Sequence, residues 1–308
     1  MFYFIVNPNA GAGRGLRVWN DTKKFLNSRC EAYEVYFTDA PGDAREKARE
    51  LTEACREERY LITVGGDGTM NEVVDGISLN CPVILGFLPA GSGNDLGRGL
   101  GLPSGRRRLI ARVIDGAAVR RIDYGVVSCG CAECSNRRFL VSSGIGFDAA
   151  VCRALLDSPL KNGLNRIRLG ALAYFLTGMK QFFFMRPVKG WVQLDGNRRV
   201  EFNHILFISA HIHPYEGGGF CFAPDADPQD GKLELCVVST RNRLKLIPLL
   251  LRSRRKLLTS QKGIRFFSCR EAHIHVDRPL FVHTDGESCR MQTDVDVRCV
   301  ERQLRILT

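Results

Sequence analysis

The interpretation of this chain depends on one stretch, Val64-Gly65-Gly66-Asp67-Gly68-Thr69-Met70-Asn71-Glu72. It follows residues 60–64, a short apolar run with β-branched side chains that is typical of a buried strand. It precedes residues 70–77, in which apolar side chains recur at helical spacing. The glycines and the aspartate therefore lie at a predicted strand-to-helix turn.

The residue types at this turn suit an anionic ligand. Glycine lets the backbone approach a bulky anion closely, and the N–H groups at a helix N-terminus point at it. Asp67 would repel a bare phosphate, so its carboxylate suggests a Mg²⁺ ion between the two. A tight turn that carries a helix cap is the alternative, because Gly, Asp and Thr are common in turns and caps.

Two more glycine-rich loops follow predicted strands in the first half of the chain. Residues 7–15 follow an apolar run at the N-terminus, and residues 89–96 follow an apolar run at 83–88. Strands and helices alternate here, which predicts a parallel α/β sheet covered on both faces. Ligands bind such sheets beyond the carboxyl ends of the strands, where the glycine loops and Thr38 fall. The remaining predicted elements are a strand at 31–37 and helices at 43–59 and 106–116.

From Arg121 onward the pattern changes to short strands separated by turns, which predicts a mostly antiparallel β-sandwich. We therefore expect a nucleotide-binding α/β domain at 1–120 and a β-sandwich domain at 121–308. The predicted strands are 125–128, 138–143, 188–194, 199–208, 232–239, 264–268, 272–276, 280–283 and 295–300, with helices near 149–156, 165–185 and 243–260.

Composition limits the class of protein and of partner. A net charge of +11 favours an anionic partner: a nucleotide, a nucleic acid or an acidic membrane surface. The N-terminal run lacks a basic n-region, so it is interpreted as a strand and not as a signal peptide. The apolar segment 169–185 is interrupted by polar residues and falls short of the roughly 20 apolar residues of a membrane span. We expect a soluble cytoplasmic protein with reduced cysteines, and peripheral membrane association is left open.

Three carboxylate sites stand out in the second half. Asp123 lies where the chain enters the second predicted domain. Asp227 and Asp230 are three residues apart in a Pro/Asp/Gly loop, a spacing that could place both carboxylates on one hard cation, although such loops are more often plain turns. Asp285 and Glu287 lie at a predicted hairpin tip, where we expect a mobile, exposed bend.

Together these motifs resemble the diacylglycerol kinase catalytic-domain family. Gly65-Gly66-Asp67-Gly68-Thr69 with Asn71-Glu72 resembles that family's first motif, although NAD kinases and phosphofructokinases share it. The loops 88–96 and 224–233 distinguish the diacylglycerol kinase family from these other kinases. The resemblance covers essentially the whole chain and is closest to the soluble bacterial lipid kinases, with further matches in the same order at 7–13, 143–149, 217–219 and 285–287.

The resemblance implies ATP- and Mg²⁺-dependent phosphorylation of a lipid hydroxyl, in a cleft between the two domains. Asp285, assisted by Glu287, corresponds to the base that takes the proton from the hydroxyl. Asp67, Asp95 and Asp123 correspond to the network around the catalytic Mg²⁺, and Asp67 is thereby also a catalytic residue. A second Mg²⁺ site corresponds to Asp227, Asp230 and the carbonyl of Lys232. The nucleotide site corresponds to Asn7, Gly11, Gly13, Thr38, Gly65, Gly66, Asp67, Gly68, Thr69, Asn71 and Ser92.

Two departures from the family pattern leave the acceptor lipid open. His211 stands where many relatives have asparagine, and Gln229 replaces a frequent aspartate. Diacylglycerol, phosphatidylglycerol, a sphingoid base and an undecaprenol-like alcohol all remain candidates. An NAD kinase-like enzyme and a non-catalytic lipid- or nucleotide-binding protein are the alternative functions. A homodimer is left open, and a nucleic-acid partner is not expected because only the charge supports one.

The remaining cysteine, histidine, aromatic and basic residues of note each have a structural interpretation, which we favour over a functional one or give equal weight. Cys129, Cys131 and Cys134 are interpreted as a reduced hairpin tip, with zinc as the less favoured alternative. His211 and His213 are interpreted as a satisfied or exposed pair. The aromatic run 182–184 could pack in the core or line an acyl-chain cavity. The basic residues are interpreted as a solvated helix face, with attraction of anionic headgroups as the less favoured alternative: Arg106, Arg107, Arg108, Arg252, Arg254, Arg255 and Lys256.

Overall fold

The computed structural model describes residues 1–116, 118–130, 136–156, 186–242, 244, 246–256 and 258–308. These residues form two compact units, Met1–Ile122 with Arg302–Thr308, and Asp123–Glu301. The end of the chain belongs to the first unit because Ile306 pairs with Leu85 of the first sheet. The sequence-based division at residue 120 does not include this return of the C-terminal segment Arg302–Thr308 to the first unit.

The first unit contains a parallel sheet with the strand order β2-β1-β3-β4. Its strands are rich in β-branched and aromatic residues, and the inner strands are buried, as expected for a sheet covered on both faces. This confirms the predicted α/β class. The strands are β1 (Phe2–Val6), β2 (Tyr33–Phe37), β3 (Arg59–Gly65) and β4 (Val83–Pro89), and the helices are α1 (Ala10–Ser28), α2 (Asp43–Glu53), α3 (Asp67–Gly76), α4 (Asp95–Gly99) and α5 (Arg106–Ile114).

Helix α2 is shorter than its sequence pattern predicts. The pattern extended the helix to Arg59, but the helix ends at Glu53 and Arg59 begins β3, where it pairs with Val83. Arg59, which local periodicity assigned to the helix, therefore belongs to the sheet. Thr52 is buried in the last turn, where its hydroxyl donates a hydrogen bond to the carbonyl of Ala48 at 2.7 Å.

The second unit is dominated by antiparallel pairing, in the strand order β13-β12-β9-β7-β14-β15. Strand β8 pairs with β9 and β14, and β5 pairs with β6. The elements are β5 (Val119–Cys129), β6 (Arg137–Phe139), β7 (Ser142–Gly146), α6 (Phe147–Leu156), β8 (Val188–Leu194), β9 (Arg198–His211), β10 (Tyr215–Glu216), β11 (Phe220–Cys221), β12 (Leu233–Ser239), α7 (Leu246–Arg254), β13 (Ile264–Cys269), β14 (Glu271–Thr284) and β15 (Glu287–Leu307).

Several predicted boundaries differ in the second unit. The strands predicted at 272–276 and 280–283 form one strand, β14, with an irregular register between His275 and Leu280. Conversely, the strand predicted at 138–143 is divided between β6 and β7. Strand β15 already begins at Glu287, and helix α7 is shorter than predicted. The helix predicted at 165–185 and the aromatic run 182–184 lie outside the described residues.

Candidate functional site

The glycine loops of the first unit pack against one another through their backbones. Gly11 has a φ of +56°, and a Cβ there would lie 2.2 Å from the carbonyl oxygen of Ala90. A Cβ on Gly91 would lie 2.7 Å from the Cα of Gly66. Because no larger residue fits these contacts, Gly11 and Gly91 are needed for the close packing of the loops, whether or not a ligand is bound.

Hydrogen bonds hold the same loops in register. The Asn7 side-chain amide donates to the hydroxyl of Thr69 at 3.2 Å, and the Asn7 backbone N–H donates to the carbonyl of Val64 at 2.9 Å. The Arg14 guanidinium donates to the carbonyl of Gly91 at 2.9 Å. Thr38 is buried beyond the end of β2, and its N–H donates to a β1 carbonyl at 2.9 Å. The loops therefore form one ordered edge of the sheet.

Asp67 and Asp95 bring two carboxylates to this edge. Asp67 lies in the first turn of α3, and its carboxylate accepts hydrogen bonds from the N–H groups of Asp95 and Leu96, both at 3.2 Å. A Cβ on Gly93 would lie 3.1 Å from Asp67 Oδ2 and 3.3 Å from Asp95 Oδ2. Oxygen donors that converge at a glycine are the ligands that Mg²⁺ prefers, so these residues fit the ion. Arg98 forms an ion pair with the remaining oxygen of Asp95 at 2.7 Å.

The residues predicted to bind nucleotide all lie in the first unit, in the segments that follow the carboxyl ends of its strands. They differ in exposure: Thr38, Gly65, Thr69 and Asn71 are buried, whereas Ser92 is exposed. The complete set comprises Asn7, Gly11 and Gly13 after β1, Thr38 after β2, Gly65, Gly66, Asp67, Gly68, Thr69 and Asn71 at the end of β3 and the start of α3, and Ser92 after β4.

In the second unit, Asp285 forms a tight turn with Gly286 between β14 and β15. Its carboxylate accepts three backbone hydrogen bonds, from Leu140 and Val141 at 2.8 Å and from Ser142 at 2.9 Å. Its own N–H donates to the carbonyl of Ser142 at 2.8 Å. The expectation of a mobile, exposed bend is therefore wrong, because the carboxylate ties the turn to the segment between β6 and β7.

Glu287 begins β15, directly after this turn. It forms an ion pair with Arg137 of β6 at 2.7 Å, and the Arg137 side chain is 14% exposed. Two acidic side chains that are predicted to act together therefore have different partners: Asp285 contacts backbone amides, and Glu287 contacts an arginine.

Asp123 lies against the Pro/Asp/Gly loop of the second unit. Its N–H donates to the carbonyl of Pro228 at 2.7 Å, and its carboxylate accepts from the N–H of Gly231 at 2.8 Å. Asp227 and Asp230 are exposed and each accept a hydrogen bond from the backbone N–H two residues later, at 3.0 and 2.9 Å. Lys232 provides the N–H that Asp230 accepts. The exposed carboxylate oxygens also fit a hard cation.

Comparison with known proteins identifies the family. Residues 1–127 match the family model described as the diacylglycerol kinase catalytic domain. Residues 141–308 match the model described as the YegS C-terminal NAD kinase β-sandwich-like domain. The chain belongs to the diacylglycerol kinase catalytic-domain family. Among the residues that the structure describes, no helix has the length and apolarity needed to span a membrane.

Bacterial members of this diacylglycerol kinase family align over most of the chain. The protein named "Putative lipid kinase YtlR" of Bacillus subtilis is 30% identical, with 93% of each chain covered. A diacylglycerol kinase of the same organism is 29% identical, with 82% of this chain and 78% of the relative covered. A crystal structure described as a diacylglycerol kinase from Bacillus anthracis superposes with a TM-score of 0.70 over 99% of this chain and 96% of that one, at 18% identity, and supports the fold.

A buried polar cluster in the second unit of this family member, formed by Asp148, Glu216 and His283, was not predicted from the sequence. Burial favours the neutral form of each side chain. The nearby carboxylates outweigh this for His283 and raise its pKa well above the ordinary value, while the charge of His283 lowers the pKa of Glu216 to about 2. Burial raises the pKa of Asp148. Asp148 lies in the family-like stretch 143–149, but nothing in the sequence brings residue 216 beside it.

Two other predicted features can be compared with the structure in part. His211 and His213 are buried, so an exposed pair is excluded; His211 Nε2 lies 2.8 Å from the hydroxyl of Ser209. Burial lowers the pKa of His213 to about 4. Cys129 is half-buried at the end of β5, while Cys131 and Cys134 lie outside the described residues.

Proposed function

We propose that this chain is an ATP- and Mg²⁺-dependent kinase that phosphorylates the hydroxyl of diacylglycerol or of a related lipid. The convergence of the Asp67 and Asp95 carboxylates at Gly93, beside three packed glycine loops, is the observation that carries the proposal. Phosphoryl transfer depends chiefly on positioning and on neutralisation of charge, which this arrangement can supply. Family membership is the independent support.

The glycine loops of the first unit would hold the phosphates of ATP. Their backbone N–H groups lie at the carboxyl edge of a parallel sheet and at the start of helix α3, where an anion is favoured. The side chains of Thr69 and Asn7 already hydrogen-bond each other and would orient this edge. Thr38 and Ser92 would complete the nucleotide site.

The carboxylates of Asp67 and Asp95 would hold the catalytic Mg²⁺, together with Asp123 by family correspondence. When bound, the ion supplies positive charge to the transferred phosphoryl group. Asp67 also accepts hydrogen bonds from two amides of α4, so its orientation is set before any ligand binds. Asp227, Asp230 and the carbonyl of Lys232 would hold a second Mg²⁺ with a structural role.

Asp285 would act as the base that accepts the proton of the lipid hydroxyl, with assistance from Glu287. The three amides that it contacts hold the carboxylate in one orientation. A base must lie within hydrogen-bond reach of the proton that it removes, and a fixed carboxylate satisfies this better than a mobile one.

The exposed basic side chains support an anionic membrane surface as a peripheral partner in the cytoplasm. Arg106, Arg107 and Arg108 at the start of α5 are all exposed, as are Arg252 and Arg254 in α7. Near an anionic surface, each such charge contributes about 1 kcal/mol to binding. Vesicles with and without anionic lipid, compared by cosedimentation, test this part of the proposal: equal binding to both would contradict it.

Asp285→Asn separates the kinase proposal from its alternatives. Lipid phosphorylation should fall by at least about 10²-fold, since a general base contributes roughly that much, while ATP binding is retained. Asp195→Asn is the matched control, because Asp195 and Gly196 form another Asp-Gly turn with similar φ values of +48° and +69°. A non-catalytic binding protein would show no phosphorylation in any variant. Transfer to NAD and to no lipid would identify an NAD kinase-like enzyme instead.

A further inference from the structure

One face of three neighbouring strands in the second unit is polar, although it is buried. The register places Ser142 opposite His211, Gly144 opposite Ser209, and His283 opposite Gly144. Alternate residues of a strand point to opposite faces of the sheet, so the residues between these belong to the apolar core. Those core residues are Ile145, Ile208, Ala210 and Val282.

Two carboxylates meet His283 on this polar face. Asp148 comes from the first turn of α6, and its Oδ2 lies 3.2 Å from His283 Nε2. Glu216 comes from β10, and its Oε1 lies 3.3 Å from the same nitrogen. The side chains are 8%, 11% and 0% exposed in the order Asp148, Glu216 and His283. Ionised groups are almost never buried to this extent without a partner of opposite charge.

The hydrogen bonds within the cluster do not satisfy both carboxylates. Nε2 of His283 offers one N–H at most, and both carboxylates approach it at long distances. Among the described residues, Oε2 of Glu216 and the hydroxyl of Ser142 are both buried, and neither makes a hydrogen bond of normal geometry, although the Ser142 hydroxyl lies near the Glu216 carboxylate. His211 Nε2 lies 3.5 Å from Oε2 of Glu216, but it lies closer to the hydroxyl of Ser209, at 2.8 Å. The cluster therefore has more acceptor atoms than the hydrogen bonds of the described residues match.

A glycine in β7 allows the three side chains to approach one another closely. A Cβ on Gly144 would lie 2.0 Å from Asp148 Oδ2 and 2.8 Å from His283 Nε2, so only glycine permits this approach of the two groups. One ligand atom from each of the three side chains falls within 4.8 Å of the others. A ligand that bridges them must be small and positively charged.

We propose that Asp148, Glu216 and His283 bind one divalent transition-metal ion within the second unit. The separations of 3.2 and 3.3 Å match the distance between neighbouring ligands around such an ion, about 3.3 Å for tetrahedral bonds of roughly 2.0 Å. Two ionised carboxylates and a neutral imidazole together carry the two negative charges that neutralise such an ion. An imidazole ligand favours zinc, copper, iron or nickel over magnesium or calcium, which take oxygen ligands.

The proposed metal site adjoins the turn that carries Asp285, because Nδ1 of His283 lies 3.3 Å from the backbone nitrogen of Gly286. This site is separate from the Mg²⁺ sites of the proposed kinase and does not depend on that activity.

Titration of the chelator-treated full chain with Zn²⁺, followed by calorimetry, tests the proposal. Excess Mg²⁺ in the buffer occupies sites that have only oxygen ligands. The wild-type protein should bind one equivalent at this cluster, and Glu216→Gln and Asp148→Asn should each weaken that binding by at least about 10²-fold, the upper range for loss of an outer-shell partner. His275→Gln is the matched control, because His275 pairs with Asp294 at 2.7 Å outside the cluster and is half exposed. Its binding should equal that of the wild type.

Co²⁺ as a second probe distinguishes this cluster from the cysteines. Nitrogen and oxygen ligands give weak visible bands, whereas thiolates add intense near-ultraviolet absorption, so the spectrum should lack the latter. The proposal is overturned if Zn²⁺ does not bind, if Glu216→Gln and Asp148→Asn bind as the wild type does, or if the Co²⁺ spectrum shows thiolate ligands alone. Where a variant does not fold, the wild-type stoichiometry and the Co²⁺ spectrum decide the question.

Discussion

Asp285→Asn should destabilise the second unit in addition to any effect on catalysis. In the wild type, one carboxylate oxygen accepts the N–H of Leu140 and the other accepts those of Val141 and Ser142. An asparagine has a single carbonyl oxygen, which can retain the latter two. Its NH₂ group would then face the N–H of Leu140, so that one donor meets another.

The expected cost follows from the one hydrogen bond that is lost. A hydrogen bond to a charged group contributes about 1.5–3 kcal/mol, and the remaining N–H at residue 140 loses its partner. We therefore expect the free energy of unfolding to fall by about 2 kcal/mol. For a unit of this size, each kcal/mol lowers the melting temperature by about 2–4 °C, so the shift should be about 4–8 °C.

Asp195→Asn provides a close control for this measurement. The Asp195-Gly196 turn has a similar backbone, but a single oxygen of Asp195 accepts both of its bonds, from the N–H groups of Arg270 at 2.8 Å and Glu271 at 3.1 Å. An asparagine oxygen can keep both, so its melting temperature should change by no more than about 2 °C. Scanning calorimetry of the three proteins makes the comparison. Equal melting temperatures for wild type and Asp285→Asn would refute the description of Asp285 as an anchored carboxylate.

Three further predictions concern other parts of the chain. Gly11→Ala should lower stability by at least about 1–3 kcal/mol and weaken ATP binding, because its Cβ would lie 2.2 Å from a carbonyl oxygen of the loop 89–96. The control is Gly13→Ala, whose Cβ meets no atom within 4 Å and which should cost only about 1 kcal/mol; calorimetry and nucleotide titration compare the two variants. Burial lowers the pKa of His213 to about 4, so between about pH 4 and 6.5 the unfolded chain binds more protons than the folded one, and stability should fall as the pH decreases through that window. His213→Gln should flatten the pH dependence of the free energy of unfolding measured in urea, and an unchanged dependence would contradict this prediction. Glu287→Gln removes the charge that pairs with Arg137 and should lower stability by about 1 kcal/mol. It should reduce turnover less than Asp285→Asn does, which steady-state kinetics of both variants at the same ATP concentration tests.

Local sequence patterns predicted the fold class and the glycine loops well, because those features depend on residues that are near one another in the chain. A buried strand followed by Gly65 and Gly66 is recognisable from about ten residues, and the structure has β3 and α3 there. The pattern of α2 extended too far for the opposite reason. Arg59 belongs to β3 through its pairing with Val83, and pairing with a distant strand is not visible in helical periodicity.

The contacts of Asp285 could not be predicted from local patterns. The Asp-Gly pair indicated a turn, and the structure has one, but the amides that hold the carboxylate come from residues 140–142. A turn considered alone appears exposed, and only the adjacent pairing of β7 with β14 brings that segment to it. Asp148, Glu216 and His283 were missed for the same reason, because each is an ordinary residue until the sheet brings the three together.

Transfer of labelled phosphate from ATP to lipids in mixed micelles tests the central claim most directly. The panel should contain diacylglycerol, phosphatidylglycerol, a sphingoid base and undecaprenol, each with Mg²⁺ and with a chelator. The proposed kinase should give a phosphorylated lipid product that disappears with the chelator and in Asp67→Asn, since Asp67 would hold the ion. Label that appears in no lipid, from a protein that still binds ATP and keeps the wild-type melting temperature, would contradict the claim.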